Sequence, residues 1–178
     1  MNDVHFSCTE LGTRILKVNH AGEHGAVNIY SGQLLAARLT AHDMLAELQE
    51  FKSHEEGHRA IFFAELRVRE QQRCRSYFLC AIGGFLLGFV TGLFGRGAIA
   101  ATTVAVERVV LRHLTEQVHM LRESDPAAAR AISAIVTEEQ QHYDRSAKHL
   151  TAGRCWPIFL SPVVSISTEA VIWLGMRI

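Results

Sequence analysis

Glu23, Glu55, His58, Glu107, Glu139 and His142 are placed so that they can hold two metal ions between them. Glu55 follows Glu23 by 32 residues, and Glu139 follows Glu107 by the same 32. Each later glutamate has a histidine three positions on, in Glu55-Glu56-Gly57-His58 and Glu139-Gln140-Gln141-His142. Residues i and i+3 share a helix face, so one helix can offer a carboxylate and an imidazole to the same ion. The two half-sites are offset by 84 residues. Two glutamates can bridge both ions while the others cap each end. Mixed carboxylate and imidazole ligation suits iron or manganese, whereas structural zinc more often takes cysteine. Six protein ligands for two ions leave positions open for dioxygen.

Such a site needs four helices. The periodicity predicts a first helix over 11–38, with Leu16, His20, Glu23, Val27, Tyr30 and Leu34 on one stripe. It predicts a second over 42–72, carrying Leu45, Leu48, Lys52, Glu55, His58, Phe62 and Leu66, and a third over 98–123, carrying Val104, Glu107, Leu111 and Leu114. A fourth opens at Asp125-Pro126, an N-cap followed by proline at the first helical position, and carries Ile132, Ile135, Glu139 and His142. Stripes so spaced face a core. Four ionised carboxylates in one core need a positive counterpart. Lys52 is the only basic residue on any stripe, so metal cations are the natural one. The expected fold is all-α: a ferritin-like four-helix bundle, whose di-iron or di-manganese centres use this ligand pattern, with additional apolar membrane-associated helices. Residues 1–178 read as a single ferritin-like di-iron domain.

Neighbouring residues compete for the same roles. Glu56 lies off the stripe. Glu138 can reach the face of His142, and the frame favours Glu139 over it. His54-Glu55-Glu56-Gly57-His58 also reads as H-E-x-x-H, a zinc-protease motif with Glu55 as general base. That reading leaves Glu23, Glu107 and the second E-x-x-H without a role.

Composition narrows the class. The chain has 178 residues, a formal net charge of zero, 48% hydrophobic and 20% charged residues. Zero net charge gives a nucleic-acid partner no electrostatic support. The apolar excess points to a membrane surface or a large apolar pocket. Cys8, Cys74, Cys80 and Cys155 form no C-x-x-C pair and are expected as reduced thiols. Residues 1–13 have neither an apolar h-region nor a basic run, so no secretory signal is expected. Residues 76–95 are twenty without a charge, with Gly84, Gly88 and Gly92 at every fourth position. By length this segment qualifies to span a bilayer, and the small-residue spacing suits close helix packing. A single crossing would part the two half-sites, so 76–97 is expected to be interfacial or re-entrant. The stretch 156–178 is likewise apolar, with Trp156 and Trp173 as interface anchors and Glu169 as an acid without an assigned role.

The chain resembles the demethoxyubiquinone hydroxylases, di-iron enzymes of ubiquinone biosynthesis. The likeness lies in Val18-Asn19-His20-Ala21-Gly22-Glu23, Ile29-Tyr30-Ser31-Gly32-Gln33, Glu55-x-x-His58, Thr103-Val104-Ala105-Val106-Glu107, Glu138-Glu139-Gln140-Gln141-His142 and Ala170-Val171-Ile172-Trp173-Leu174. The resemblance implies a monooxygenase that uses two iron ions and O2 to hydroxylate the ring of a polyprenylated demethoxy-quinone. It implies electrons from NADH, directly or through a reductase. It implies a peripheral site on an inner membrane, on the bacterial cytoplasmic or mitochondrial matrix face, and in some lineages a lipid-binding partner protein. The six residues above fall on the family's ligands. His113 matches a histidine used for electron or proton passage, and Leu114 stands where the family usually has tyrosine. The alternative is a ferritin-like iron-binding or ferroxidase protein without quinone turnover.

Overall fold

The computed structural model describes residues 8–152 and 155–177. Among these the secondary structure is helical throughout. The helices are α1 (Cys8–Thr40), α2 (Leu45–Val68), α3 (Tyr77–Leu93), α4 (Arg96–Leu121), α5 (Pro126–Ser133), α6 (Val136–Lys148) and α7 (Cys155–Gly175). The ferritin-like bundle consists of α1, α2, α4 and the pair α5 and α6. Helix α3 packs along α1, and α7 packs along α4.

Local chemistry explains where the helices stop. A 3-10 turn, His42–Met44, precedes α2. Helix α2 ends four residues short of its expected end. There Glu70 takes a left-handed φ of 54°, and the amide of Gln71 reaches back to the Leu66 carbonyl at 2.8 Å. This is a helix-ending motif usually built on glycine, and the absence of a glycine hides it from a sequence reading. Asp125 caps α5, accepting from the Ala128 amide at 3.2 Å, with Pro126 following as expected. The fourth helix is broken, because the Ile135 amide bonds Ile132 three residues back rather than four. Ile132 and Ile135 stay fully buried across this tightened turn.

The core has two apolar ends. One gathers Leu16, Phe62, Leu66, Leu121, Ile132 and Ile135; the other gathers Tyr30, Ala37, Met44, Leu48, Phe51 and Ile99. The six charged or imidazole residues lie between them along the chain. Asp125 fastens the first end: Arg69 donates to both its oxygens, at 2.6 and 2.8 Å. Gly12 of α1 lies against that carboxylate, where a Cβ would collide with Asp125 Oδ2.

Helix α3 shows why its glycines recur. A Cβ at Gly88 would overlap the Ile29 carbonyl, and one at Gly84 would overlap that of Gly25. The opposite face of α3 exposes Phe78, Leu79, Ile82, Leu86 and Val90. Gly95, at φ 80°, turns the chain directly into α4. Residues 76–95 therefore lie along the bundle, and both half-sites belong to one body. Helix α7 is long and apolar enough to cross a membrane, with Ile158, Phe159, Val163 and Ile166 exposed. Cys74 and Cys80 are buried and Cys155 is exposed, all unpaired; the side chain of Cys8 lies outside the described residues.

Candidate metal centre

Each half-site residue projects from the middle of its helix into one place. Glu23 comes from α1, Glu55 and His58 from α2, Glu107 from α4, and Glu139 and His142 from α6. None is more than 5% exposed. Two groups form, Glu23 with Glu55, His58 and Glu139, and Glu107 with Glu55, Glu139 and His142. Within each, the ligand-type atoms lie within 4.8 Å of one another. Glu55 and Glu139 belong to both groups. Glu55 sets Oε2 3.6 Å from His58 Nδ1 and Oε1 3.1 Å from His142 Nδ1. Glu139 sets Oε1 2.9 Å from His58 Nδ1 and Oε2 3.5 Å from His142 Nδ1.

These approaches lack hydrogen-bond direction. Both Glu55 oxygens, Glu139 Oε2 and the Nδ1 atoms of His58 and His142 are buried without a hydrogen-bond partner. Buried polar atoms are seldom left so, and donor atoms converging on a shared cation account for it. The charge state agrees. Burial first, then Glu55 and Glu139, push Glu23 well above the ordinary carboxylate range. Burial, then Glu139 and Glu55, do the same to Glu107. Burial also opposes ionisation of Glu55, yet His142 and His58 hold it below its ordinary value. Against their own burial, Glu139 and Glu55 raise His58 to about 10 and His142 to about 9. Protons thus balance this cluster in the absence of metal. Two divalent cations would balance four carboxylates and leave both imidazoles neutral, so the residues fit a di-metal centre.

A second ring of contacts orients the histidines. His58 Nε2 lies 2.8 Å from Glu138 Oε2, and His142 Nε2 lies 3.0 Å from His54 Nδ1. With Nδ1 aimed at the cluster, each Nε2–H donates outward, the usual support of a metal-binding imidazole. The Tyr30 hydroxyl donates to Glu107 Oε1 at 3.3 Å. Glu138, weighed in the sequence as a rival to Glu139, instead crosses to His58. His54, the residue that makes H-E-x-x-H, belongs to neither group. Its place one turn before His58, and the Glu138-Glu139 doublet, were the available signals for these supporting roles.

The cluster opens onto a cavity of about 500 Å³ between α1, α3, α4 and α7. Its walls include Ile29, Leu87, Val110, Leu114 and Val171, and Glu23, Glu55, Glu107 and Glu139 reach it. Gly22 also lines it, and a Cβ there would meet nothing within 4 Å, so close packing does not require this glycine. His113 lines the same cavity, with Nε2 2.9 Å from Glu169 Oε2. Burial, then Arg112, lower the His113 imidazole below its ordinary value, and Glu116 opposes them.

Residues 10–175 match the family described as Ubiquinone biosynthesis protein COQ7. The chain is 32% identical to the mitochondrial NADPH-dependent 3-demethoxyubiquinone 3-hydroxylase of Dictyostelium discoideum over 173 residues, covering 93% of this chain and 76% of that protein. It is 32% identical over 168 residues to the 3-demethoxyubiquinol 3-hydroxylase of Rhodospirillum rubrum, covering 93% and 77%. It is 30% identical over 170 residues to the human mitochondrial NADPH-dependent 3-demethoxyubiquinone 3-hydroxylase, again covering 93% and 77%.

Proposed function

The chain belongs to the ubiquinone biosynthesis protein COQ7 family, a family of ring hydroxylases, and from that premise we propose that it is a di-iron monooxygenase acting on a polyprenylated demethoxyquinol at a membrane surface. The observation that carries this reading is the cavity. It is mostly apolar, its walls include residues of α3 and α7, the helices with exposed apolar faces, and the carboxylates of the cluster reach it. A quinone ring with an isoprenoid tail fits that gradient. An iron-storage bundle needs no such cavity.

Glu23, Glu55, His58, Glu107, Glu139 and His142 would hold the two irons, with Glu55 and Glu139 shared between them. Two bound irons would supply O2 reduction chemistry, by which one oxygen atom would reach the ring and the other would leave as water. The protein's own contribution is position and exclusion. Val110 and Leu114 hold the ring beside the carboxylates and keep water from it. Glu138 and His54 fix the imidazoles. The exposed faces of α3 and α7 would lie in the bilayer interface, near the substrate's tail. The electrons would come from a reduced nicotinamide dinucleotide; the names of the mitochondrial relatives specify NADPH, where the sequence reading expected NADH.

Complementation tests this function. A strain lacking its own hydroxylase and expressing this chain should regain ubiquinone and stop accumulating the demethoxy precursor. Persistence of the precursor, with the protein folded and iron-loaded, would contradict it.

A further inference from the structure

Glu169 is the one charged residue of α7, and its carboxylate turns toward α4. Oε2 lies 2.9 Å from His113 Nε2, nearer to that nitrogen than Arg112 Nη2 at 3.3 Å, and Oε1 pairs with Arg112. His113 lines the cavity alongside Ser167 and Thr168 of α7. Among the described residues lining it, Cys80 and His113 are the titratable groups outside the carboxylate cluster. Burial pushes the Cys80 thiol up, so it stays protonated. His113 is therefore the wall group able to exchange a proton near neutral pH.

We propose that Glu169 is a positioning residue: by accepting the Nε2–H of His113 it holds the imidazole in the tautomer whose bare Nδ1 takes the proton of a ring hydroxyl of the quinol. The proposal rests on the hydroxylase reading above. The step is balanced as a proton transfer. The ring O–H bond breaks, an Nδ1–H bond forms, and the electron pair stays on the ring oxygen. The imidazolium so formed faces the Glu169 carboxylate. A deprotonated ring oxygen pushes electron density into the ring, which favours attack by an electrophilic oxygen atom. Carboxylate–imidazole pairing is a general way to orient a base. The charged groups facing His113 are Arg112 and Glu116 from α4 and Glu169 from α7. Arg112 and Glu169 bring opposite charges to the imidazole, so substituting either moves its titration in a known direction.

The test is an NMR titration of the His113 imidazole in the full chain, loaded with zinc as a diamagnetic ion, for the wild type, Glu169→Gln and Arg112→Gln. Removing the carboxylate charge should lower the His113 pKa by ~1 unit, and removing the guanidinium should raise it by a similar amount. The acidic limb of kcat/KM for quinol, which needs neutral His113, should move to lower pH in Glu169→Gln and to higher pH in Arg112→Gln. If Glu169 serves only to pin α7 to α4, both variants will lose activity with an unmoved limb and an unmoved titration, and the proposal falls. A chain that turns over no quinol overturns the hydroxylase function itself; an unmoved His113 titration in an active enzyme overturns the pairing alone.

Discussion

His54 and His142 stack nearly parallel, with ring planes 9° apart, centroids 5.3 Å apart and His54 Nδ1 3.0 Å from His142 Nε2. His54 thus supports a ligand-type histidine from outside the cluster. Glu138 does the same for His58 at 2.8 Å. Loss of such a partner typically weakens a metal by about 10–100-fold. His54→Gln should therefore weaken one iron of the pair, and Glu138→Gln the other, without abolishing either. Iron titration of each variant checks this. Complete loss of metal in His54→Gln alone would favour the H-E-x-x-H arrangement.

Glu107 separates metal binding from stability. Its carboxyl is buried and held protonated by burial and by Glu139 and Glu55. Glu107→Gln keeps the shape and removes a group that must otherwise stay protonated or meet a cation. The metal-free variant should melt at the same temperature as the wild type or higher. Its stabilisation by added iron should be largely lost. Thermal melts with and without Fe2+ read both effects.

His20 makes acid stability legible. It is 3% exposed, its Nδ1 has no partner, and it stacks against Phe63 and Tyr77. Burial, then Arg59, lower its pKa to about 4. An unfolded imidazole titrates near ~6.5. Between those values the unfolded chain binds the proton more readily, so stability is full above the unfolded pKa and falls as pH drops toward 4. The loss attributable to His20 is about 3 kcal/mol at most. His20→Phe keeps the stacking and should flatten the stability profile in that window. Denaturant melts of metal-free protein across pH measure it; an unchanged slope would count against a neutral buried His20.

Asp125 is both a helix cap and the partner of Arg69. Asp125→Ala removes a cap worth about 1 kcal/mol and leaves the largely buried Arg69 guanidinium with only its longer contacts to Glu65, at 3.8 Å, and Thr13, at 3.4 Å, for a total of about 2–3 kcal/mol. Asp125→Asn should cost less, because the side-chain oxygen can still cap α5. Equal losses would show that the cap contributes nothing and that the whole effect lies in the pairing with Arg69.

Gly88 lets α3 approach the Ile29 carbonyl. Gly88→Leu should push α3 off α1, destabilise the protein and weaken quinone-analogue binding, while the iron content stays near normal. Loss of iron in step with loss of the analogue would mean that α3 supports the cluster directly.

The half-site repeat at 32 residues made the bundle and its six central residues readable. Equal spacing on helical stripes fixes which side chains share a core, and the cost of burying uncompensated carboxylates then asks for cations. The stop at Glu70 was not readable, because a left-handed turn without glycine leaves no mark in periodicity. The break at Ile135 preserves the apolar stripe, so it too is invisible. Glu138 and His54 were seen only as rivals for the ligand roles, and their contacts to His58 and His142 were not readable, because those partners lie on helices far away in sequence. Glu169 is the clearest case. A lone acid in an apolar helix is conspicuous, yet its partners Arg112 and His113 appear only when α7 is laid against α4.

The central claim is that oxygen from O2 enters a quinol ring at this cluster. The most direct measurement is a single-turnover reaction of the iron-loaded chain with demethoxyubiquinol under 18O2, with the product read by mass spectrometry. The account predicts one 18O atom in the ring hydroxyl of the product, and no product from Glu107→Ala. Unlabelled product from the labelled gas, or no product from a folded chain holding about two irons, would contradict it.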